Sequence, residues 1–228
     1  MNYALIVAAG KGLRMGNTNV PKQFLLVNGK PLLIYTIEAF EQNKDIDGIY
    51  IVSSEDYIDT IKKWRKSYGL NKVLDVVLGG DSRQESVYRG LKAMNGKDDD
   101  IVLIHDGARP LVSQEIIKNN IDGCLKYDAI DTVIRVSDTI INSADGTTIN
   151  NIPIRDELYQ TQTPQTFKYG LIVKAHEQAI VEKVPNVTDD AKLVKALGID
   201  VRLVEGSKQN FKITTTDDLR IFEALVSK

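Results

Sequence analysis

The nine residues Ala8-Ala9-Gly10-Lys11-Gly12-Leu13-Arg14-Met15-Gly16 directly follow the apolar run Ala4-Leu5-Ile6-Val7. Small residues after a buried strand let backbone N–H groups approach a phosphate or a base closely. Connection geometry alone can also require glycines, so the cations around the turn carry the next step. Arg14 stands inside it and Lys22 follows in Pro21-Lys22-Gln23-Phe24. From Met1 to Ile37 there is no Asp or Glu, while Lys11, Arg14, Lys22 and Lys30 all fall there. A polyanion such as a nucleoside triphosphate suits that pattern. A P-loop needs Gly-Lys-Ser/Thr, which this turn lacks. A dinucleotide loop needs a third glycine where Met15 stands and an acid about 20 residues on, where Gly29, Lys30 and Pro31 are found instead. Both features disfavour an oxidoreductase.

Three further places carry chemistry. His105-Asp106-Gly107-Ala108-Arg109-Pro110 closes the run Ile101–Ile104, and Asp106 there is an oxygen ligand for Mg²⁺, directly or through water, or else a turn cap. Gly79-Gly80-Asp81 follows Val73–Leu78. These loops and the first one all follow predicted strands, whose carboxyl ends are where open α/β sheets bind ligands. Lys212 lies between Phe211 and Ile213, where an unpaired ammonium is costly to bury; a bound phosphate resolves the cost, and snorkelling to the surface is the alternative. Thr188 and Asp189 suit a helix N-cap as well as a ligand contact. His105 and His176 read as structural. With Cys124 the only cysteine and these two the only histidines, a disulfide and a Cys/His zinc site are disfavoured.

The elements that must position these residues follow from periodicity. Short apolar runs alternate with helical spacing throughout, the mark of a mostly parallel sheet covered by helices. Leu33, Ile37 and Phe40 predict a helix, Ile49–Val52 a strand, Ile58, Ile61 and Trp64 a second helix. Ser82 with Glu85 has the form of a capping box, continued by Val87, Leu91 and Met94. From Ser137 to Thr166 the pattern loosens; Asn142–Gly146 has turn chemistry, and its flanks alternate like a short hairpin on a projecting arm. Helices are expected around Ile172–Val181, Ala191–Leu197 and Leu219–Val226, with a strand at Val201–Val204. There is no linker and no internal repeat, so residues 1–228 read as one domain with an arm at about 137–166.

Composition narrows the class further. A chain of 228 residues with 43% hydrophobic and 26% charged side chains is globular rather than disordered or fibrous. A net charge of −2 argues against a broad basic surface for nucleic acid. No secretory leader and no membrane-length apolar run is visible, which predicts a cytoplasmic protein.

The motifs Ala8-Ala9-Gly10-x-Gly12-x-Arg14-Met15, Pro21-Lys22-Gln23-Phe24, Gly79-Gly80-Asp81-Ser82-Arg83 with Ser86-Val87, His105–Pro110, Thr163-Pro164-Gln165, Thr188-Asp189-Asp190-Ala191 and Asn210-Phe211-Lys212-Ile213-Thr214 together span nearly the whole chain. In this order they resemble the cytidylyltransferases that activate sugar-alcohol phosphates, the 2-C-methyl-D-erythritol 4-phosphate and ribitol 5-phosphate enzymes. The resemblance implies a Rossmann-like, three-layer α/β nucleotidyltransferase with a mostly parallel mixed sheet. It implies that the acceptor's phosphate attacks the α-phosphorus of CTP, with Mg²⁺ on the triphosphate, and expels pyrophosphate. It assigns charge stabilisation to Arg14, Lys22 and Lys212. Cytosine recognition falls to Ala8, Ala9, Gly10, Gly80, Asp81 and Ser86, and ribose or acceptor contacts to Asp106 and Arg109. Thr139, Arg155 and Thr163 would hold the acceptor from an arm reaching into the other subunit of a homodimer. Around Arg155, residues Pro153, Tyr159 and Gln160 look more like the ribitol branch, as does Ile141. Gly79–Gly90, His105–Pro110 and Thr188–Ala191 look more like the methylerythritol branch, and that acceptor is favoured. The rival readings are a nucleotide-binding regulator without turnover and a dehydrogenase.

Overall fold

The computed structural model describes residues 1–10, 20–184 and 187–227. In chain order the elements are β1 (Asn2–Ala8), β2 (Leu26–Val27), β3 (Lys30–Pro31), α1 (Leu32–Glu41), β4 (Gly48–Ser53), α2 (Glu55–Ser67), β5 (Val73–Leu78) and α3 (Arg83–Met94). There follow β6 (Ile101–Asp106), α4 (Gln114–Tyr127), β7 (Ala129–Arg135), β8 (Tyr159–Lys168), α5 (Tyr169–Val181), α6 (Asp190–Ala196), β9 (Arg202–Glu205) and α7 (Thr216–Val226). Seven strands form one sheet in the order β5-β4-β1-β6-β8-β7-β9. Only β8 runs against its neighbours; the β1–β4, β1–β6, β4–β5 and β7–β9 pairs are parallel.

Strand periodicity sorts the core into two layers. Ala4, Ile6 and Ala8 of β1 enter one hydrophobic cluster, with Leu33 and Ile37 of α1, Ile61 of α2 and Ile117 of α4. Tyr3 and Leu5 enter the other, with Val87 and Leu91 of α3, Ile172 of α5 and Leu193 of α6. Alternate side chains of a strand leave on opposite faces, so helices cover both sides of the sheet. Each fully buried Leu or Ile contributes roughly 1.5–3 kcal/mol by leaving water. A third cluster, Val27, Leu32, Ile213 and Phe222, seats α7 beside the β2–β3 ribbon and anchors the residue next to Lys212. The ribbon turns at Asn28-Gly29, both at positive φ, the geometry that an Asn-Gly hairpin turn requires.

The α3 capping box forms only by half. Ser82 accepts from the Glu85 N–H at 3.0 Å, but the Glu85 carboxylate accepts from the Asp81 N–H at 2.8 Å and pairs with Arg89 at 2.7 Å. A Cβ on Gly80 would lie 2.3 Å from Glu85, so the glycine makes the space that the turned side chain fills. The reciprocal box instead caps α7, between Thr215 and Asp218.

The arm is shorter than its expected bounds, and its hairpin is reduced to a single antiparallel bridge. One bridge, Asn142 to Asn151, is its ladder, and the segment between Arg135 and Tyr159 is largely exposed. Residues 159–168 return to the sheet as β8, with Gln162–Phe167 buried. Pro164 hid that strand, because proline is a poor central-strand residue. It is accommodated where the β7–β8 register shifts between Asp131 and Val133, and its carbonyl accepts from Thr132 Oγ1 at 2.6 Å.

Candidate active site

The chain builds β1, β4 and β5 outward in one direction, then returns to place β6 on the other side of β1. Such a reversal leaves a crevice at the strands' carboxyl ends. Ala8–Gly10, Gly79-Gly80 and Asp106–Arg109 all emerge there. At Gly79 and Gly107 they pack so closely that a side chain would not fit. A Cβ on Gly79 would lie 2.5 Å from the Ala9 Cβ, and one on Gly107 would lie 3.2 Å from the Ala8 Cβ. Ser86 Oγ accepts from the Gly80 N–H at 3.0 Å. The result is a floor of small residues across which a flat ring can lie against backbone.

Cations converge on Asp106 beside that floor. Lys212 Nζ lies 2.8 Å from its Oδ2, Arg83 Nε 3.6 Å from its Oδ1 and Arg109 Nε 3.7 Å from its Oδ2. Burial would raise this carboxyl, but Lys212, then Arg83 and Arg109, hold it well below the ordinary carboxylate range. Arg83 is shared with Asp190, so three cations face two carboxylates and one positive charge is in excess, which suits a further anionic ligand. The cost of placing Lys212 between two apolar residues is met by Asp106, where the sequence alone suggested a phosphate or the surface. Its ammonium side chain remains 38% exposed, within reach of the crevice.

Each cation is held by its own support. Arg83 NH1 pairs with Asp190 at 2.6 Å, and Asp190 pairs with His176 at 3.1 Å, both nearly sealed from solvent. Burial would raise Asp190, and Arg83 followed by His176 lowers it instead. Lys22 begins a short turn, Lys22–Phe24, and donates to the Ile213 carbonyl at 2.6 Å, beside Lys212. Gln23 donates to the carbonyls of Ala8 at 2.7 Å and Gly10 at 2.8 Å, fixing the start of the small-residue turn. Phe24 stacks on Tyr57 with 3.7 Å between ring centroids.

The family model described as 2-C-methyl-D-erythritol 4-phosphate cytidylyltransferase matches residues 2–228. The chain belongs to that family. Its members are nucleotidyltransferases, enzymes that use CTP and a sugar phosphate. A relative from Clostridium novyi, named 2-C-methyl-D-erythritol 4-phosphate cytidylyltransferase, is 44% identical over 227 residues, covering 99% of this chain and 96% of the relative. One from Lactiplantibacillus plantarum, named ribitol-5-phosphate cytidylyltransferase, is 40% identical over 232 residues, covering 100% and 99%. Among solved structures, the 4-diphosphocytidyl-2C-methyl-D-erythritol synthase of Anaerococcus prevotii superposes with a TM-score of 0.85 at 33% identity, covering 100% of this chain and 96% of that one. The enzyme of Thermus thermophilus gives 0.79 at 32% identity, covering 98% of each.

Of the residues expected to act in this cytidylyltransferase, the fold gathers Ala8, Ala9, Gly10, Lys22, Gly80, Asp81, Ser86, Asp106, Arg109 and Lys212 at one end of the sheet. Arg14 and Lys11 lie outside the described residues. Lys30 faces elsewhere, paired with Glu38 at 2.6 Å and lying over Tyr35. Thr139 and Arg155 are exposed on the arm. Thr163 is not on the arm at all: it sits in β8, buried, with its hydroxyl 3.0 Å from the Asp106 N–H. Thr188 is exposed, and Asp189 caps α6 by accepting from the Lys192 N–H at 3.2 Å. Arg83, Gln23 and Asn210 were missed as site residues, although each lies inside a motif that carried the resemblance. The signal that could have found Arg83 is its place in the first turn of α3, directly after the Gly79-Gly80-Asp81 loop.

Proposed function

We propose that this cytidylyltransferase transfers CMP from CTP to 2-C-methyl-D-erythritol 4-phosphate with release of pyrophosphate. The observation that carries the reading is the net-positive cluster around Asp106 beside a floor of small residues. The floor, Ala8–Gly10 with Gly80, Asp81 and Ser86, takes the cytosine through backbone groups. Lys22, Lys212 and Arg14 stabilise the triphosphate, and Asp106 and Arg109 meet the ribose or the acceptor. A phosphate oxygen of the acceptor attacks the α-phosphorus, the bond to the bridging oxygen of the β-phosphate breaks, and the electron pair leaves on pyrophosphate. Two anions are brought together, so placed cations matter more than a general base.

Mg²⁺ fits this donor set as a companion of the triphosphate. Among the described residues no three acidic, histidine or cysteine side chains form a metal cage. Mg²⁺ is commonly held by one or two carboxylates plus substrate phosphates, and Asp106 is the carboxylate placed to assist, directly or through water. When bound, the metal neutralises charge on the polyphosphate.

The arm supports a homodimer. Ile140, Ile141, Ile149, Ile152, Ile154 and Tyr159 are each between 39% and 65% exposed, a concentration of apolar surface unusual for a polar-tipped loop. A second copy would cover it and bring Thr139 and Arg155 to the acceptor of the neighbouring site.

Ribitol 5-phosphate is the second reading, favoured by Pro153 and Ile141 on that same arm, by Tyr159 and Gln160 at the start of β8 and by the Lactiplantibacillus plantarum relative. Pyrophosphate release with CTP and Mg²⁺, offering the two polyol phosphates in parallel, decides between them. A higher kcat/KM for the methylerythritol phosphate supports the first reading; a higher value for ribitol 5-phosphate replaces it with the second.

A further inference from the structure

His105 is buried without exposure one residue before Asp106, and the transfer chemistry gives it no task. Its two ring nitrogens nevertheless close a circuit. Nε2 lies 3.0 Å from the Arg109 carbonyl, and Nδ1 lies 3.1 Å from Thr163 Oγ1. A carbonyl can only accept, so Nε2 carries the proton and Nδ1 accepts from the Thr163 hydroxyl. Burial pushes the imidazole down to about 4, which keeps it neutral in this arrangement. From there Arg109 NH1 donates to the Asn210 carbonyl at 2.7 Å, and Asn210 Nδ2 donates to the Thr163 carbonyl at 2.8 Å. The circuit runs His105 to Arg109 to Asn210 to Thr163 and back to His105. Every hydrogen bond points the same way round, and only at the His105 imidazole do the accepting and donating atoms share one group; at the other three residues the ring passes from backbone carbonyl to side chain, so it ties backbone and side chain together mechanically.

The four members come from three separate parts of the chain: β6 with the loop after it, β8, and the segment just before Lys212. All four are at most 9% exposed. We propose that His105 and Asn210 are positioning residues for cytidylyl transfer, and that the closed ring holds Arg109 and the Lys212 segment in register with Asp106. The ring also changes the part played by Thr163. Its single proton is spent on His105 and its oxygen accepts from the Asp106 N–H, so its hydroxyl has no donor left for an acceptor phosphate. Thr163 therefore acts through the ring as a positioning residue, and any direct contact with substrate is limited to accepting from a hydroxyl with its remaining lone pair. This inference rests on reading the Asp106 cluster as the transfer site.

Kinetics of designed variants test it, with CTP and the polyol phosphate varied separately. Thr163→Val keeps the shape and removes the hydroxyl, and is expected to lower kcat/KM for the acceptor about tenfold, with KM for CTP changed less than threefold. Thr163→Ser restores the bond and should return to within threefold of the unmodified enzyme. His105→Asn keeps an acceptor near the Nδ1 position and loses the bond to Arg109. Combined with Thr163→Val, it should be no more than about twofold worse than the poorer single variant, because both open one ring. A Thr163→Val variant within threefold of the unmodified enzyme, a serine variant as poor as the valine one, or losses that multiply in the double variant would each overturn the proposal. Nitrogen NMR gives an answer that does not depend on activity. The resonance lost in His105→Asn should report the Nε2–H tautomer, and an Nδ1–H tautomer overturns the ring. Should neither polyol phosphate be turned over, the acceptor reading fails while the tautomer still decides the ring.

Discussion

The pocket around Asp106 and the arm share a root, since β7 ends at Arg135 and β8 begins at its paired partner Tyr159, yet they are built by opposite means. In the pocket, most charged and polar groups are buried and paired: Asp106 meets three cations, and Thr163, His105, Arg109 and Asn210 bond one another, with Arg109 Nε and Asn210 Oδ1 left without a hydrogen bond. On the arm the situation is reversed, with isoleucines in solvent and one β-bridge holding the excursion. Buried polar groups are tolerated only when paired, and exposed apolar ones call for a partner. The difference teaches that the pocket is held together by this chain's own buried ion pairs and hydrogen bonds, whereas the arm leaves apolar surface that the proposed dimer would cover.

The largest effect expected from breaking the pocket is on turnover. Lys212→Ala or Lys22→Ala should lower kcat on the order of 10²-fold if each cation acts mainly on charge developed in the transition state. Steady-state pyrophosphate release checks this, and a loss below threefold in kcat would show that these lysines organise the pocket and do not stabilise the reaction. Arg83→Ala should show itself first in stability. It leaves Asp190 buried with only His176 and deprives Asp106 of one cation, so about 3 kcal/mol of unfolding free energy is expected to go. Urea titration measures it. An unchanged midpoint would mean that water reaches these carboxylates and that the pocket is less closed than its geometry indicates.

The same contrast explains what was legible in the chain beforehand. Strands such as Ala4–Val7 and Ile101–Ile104 are apolar throughout because helices cover both faces, so composition alone identified them. Leu33, Ile37 and Phe40 marked α1 for the same reason. β8 was illegible: Gln162, Thr163, Gln165 and Thr166 are buried by tertiary hydrogen bonds that no local pattern encodes, and Pro164 argues locally against a strand. Asn28-Gly29 was legible turn chemistry and passed unused. Among the site residues, glycine loops and isolated cations drew notice because their neighbours were unlike them. Arg83 did not, since its partners Asp106 and Asp190 lie 23 and 107 positions away and only the fold joins them.

Disturbing the arm should leave the pocket intact. Arg155→Ala is expected to raise KM for the acceptor roughly tenfold while KM for CTP stays nearly unchanged, because the arm is assigned only to the acceptor. An equal loss for both substrates would sink that division of labour. Ile152→Ser should shift the protein toward monomer in sedimentation velocity and weaken the acceptor in parallel. A dimer unaffected by this change would remove the arm from the interface.

The smallest effect sharpens the buried side. Asp131 on β7 is pushed up to about 6 by burial, partly offset by hydrogen bonds from Gln165 at 3.0 Å and Thr161 at 2.8 Å. In an unfolded chain an aspartate titrates near 3.9. Between about pH 4 and pH 6 the folded protein therefore keeps a proton that the unfolded chain has lost, and stability falls as pH rises through that window. Asp131→Asn removes the titration while keeping an amide where the carboxyl stood. It should flatten the decline and leave the variant more stable above pH 6, on the order of 1 kcal/mol once the altered bonds to Thr161 and Gln165 are discounted. Urea midpoints at pH 4.5 and pH 7.5 give the comparison. If the two proteins lose stability in parallel between those values, Asp131 is already ionised at the lower one, and burial at this point of the sheet is less costly than its surroundings imply.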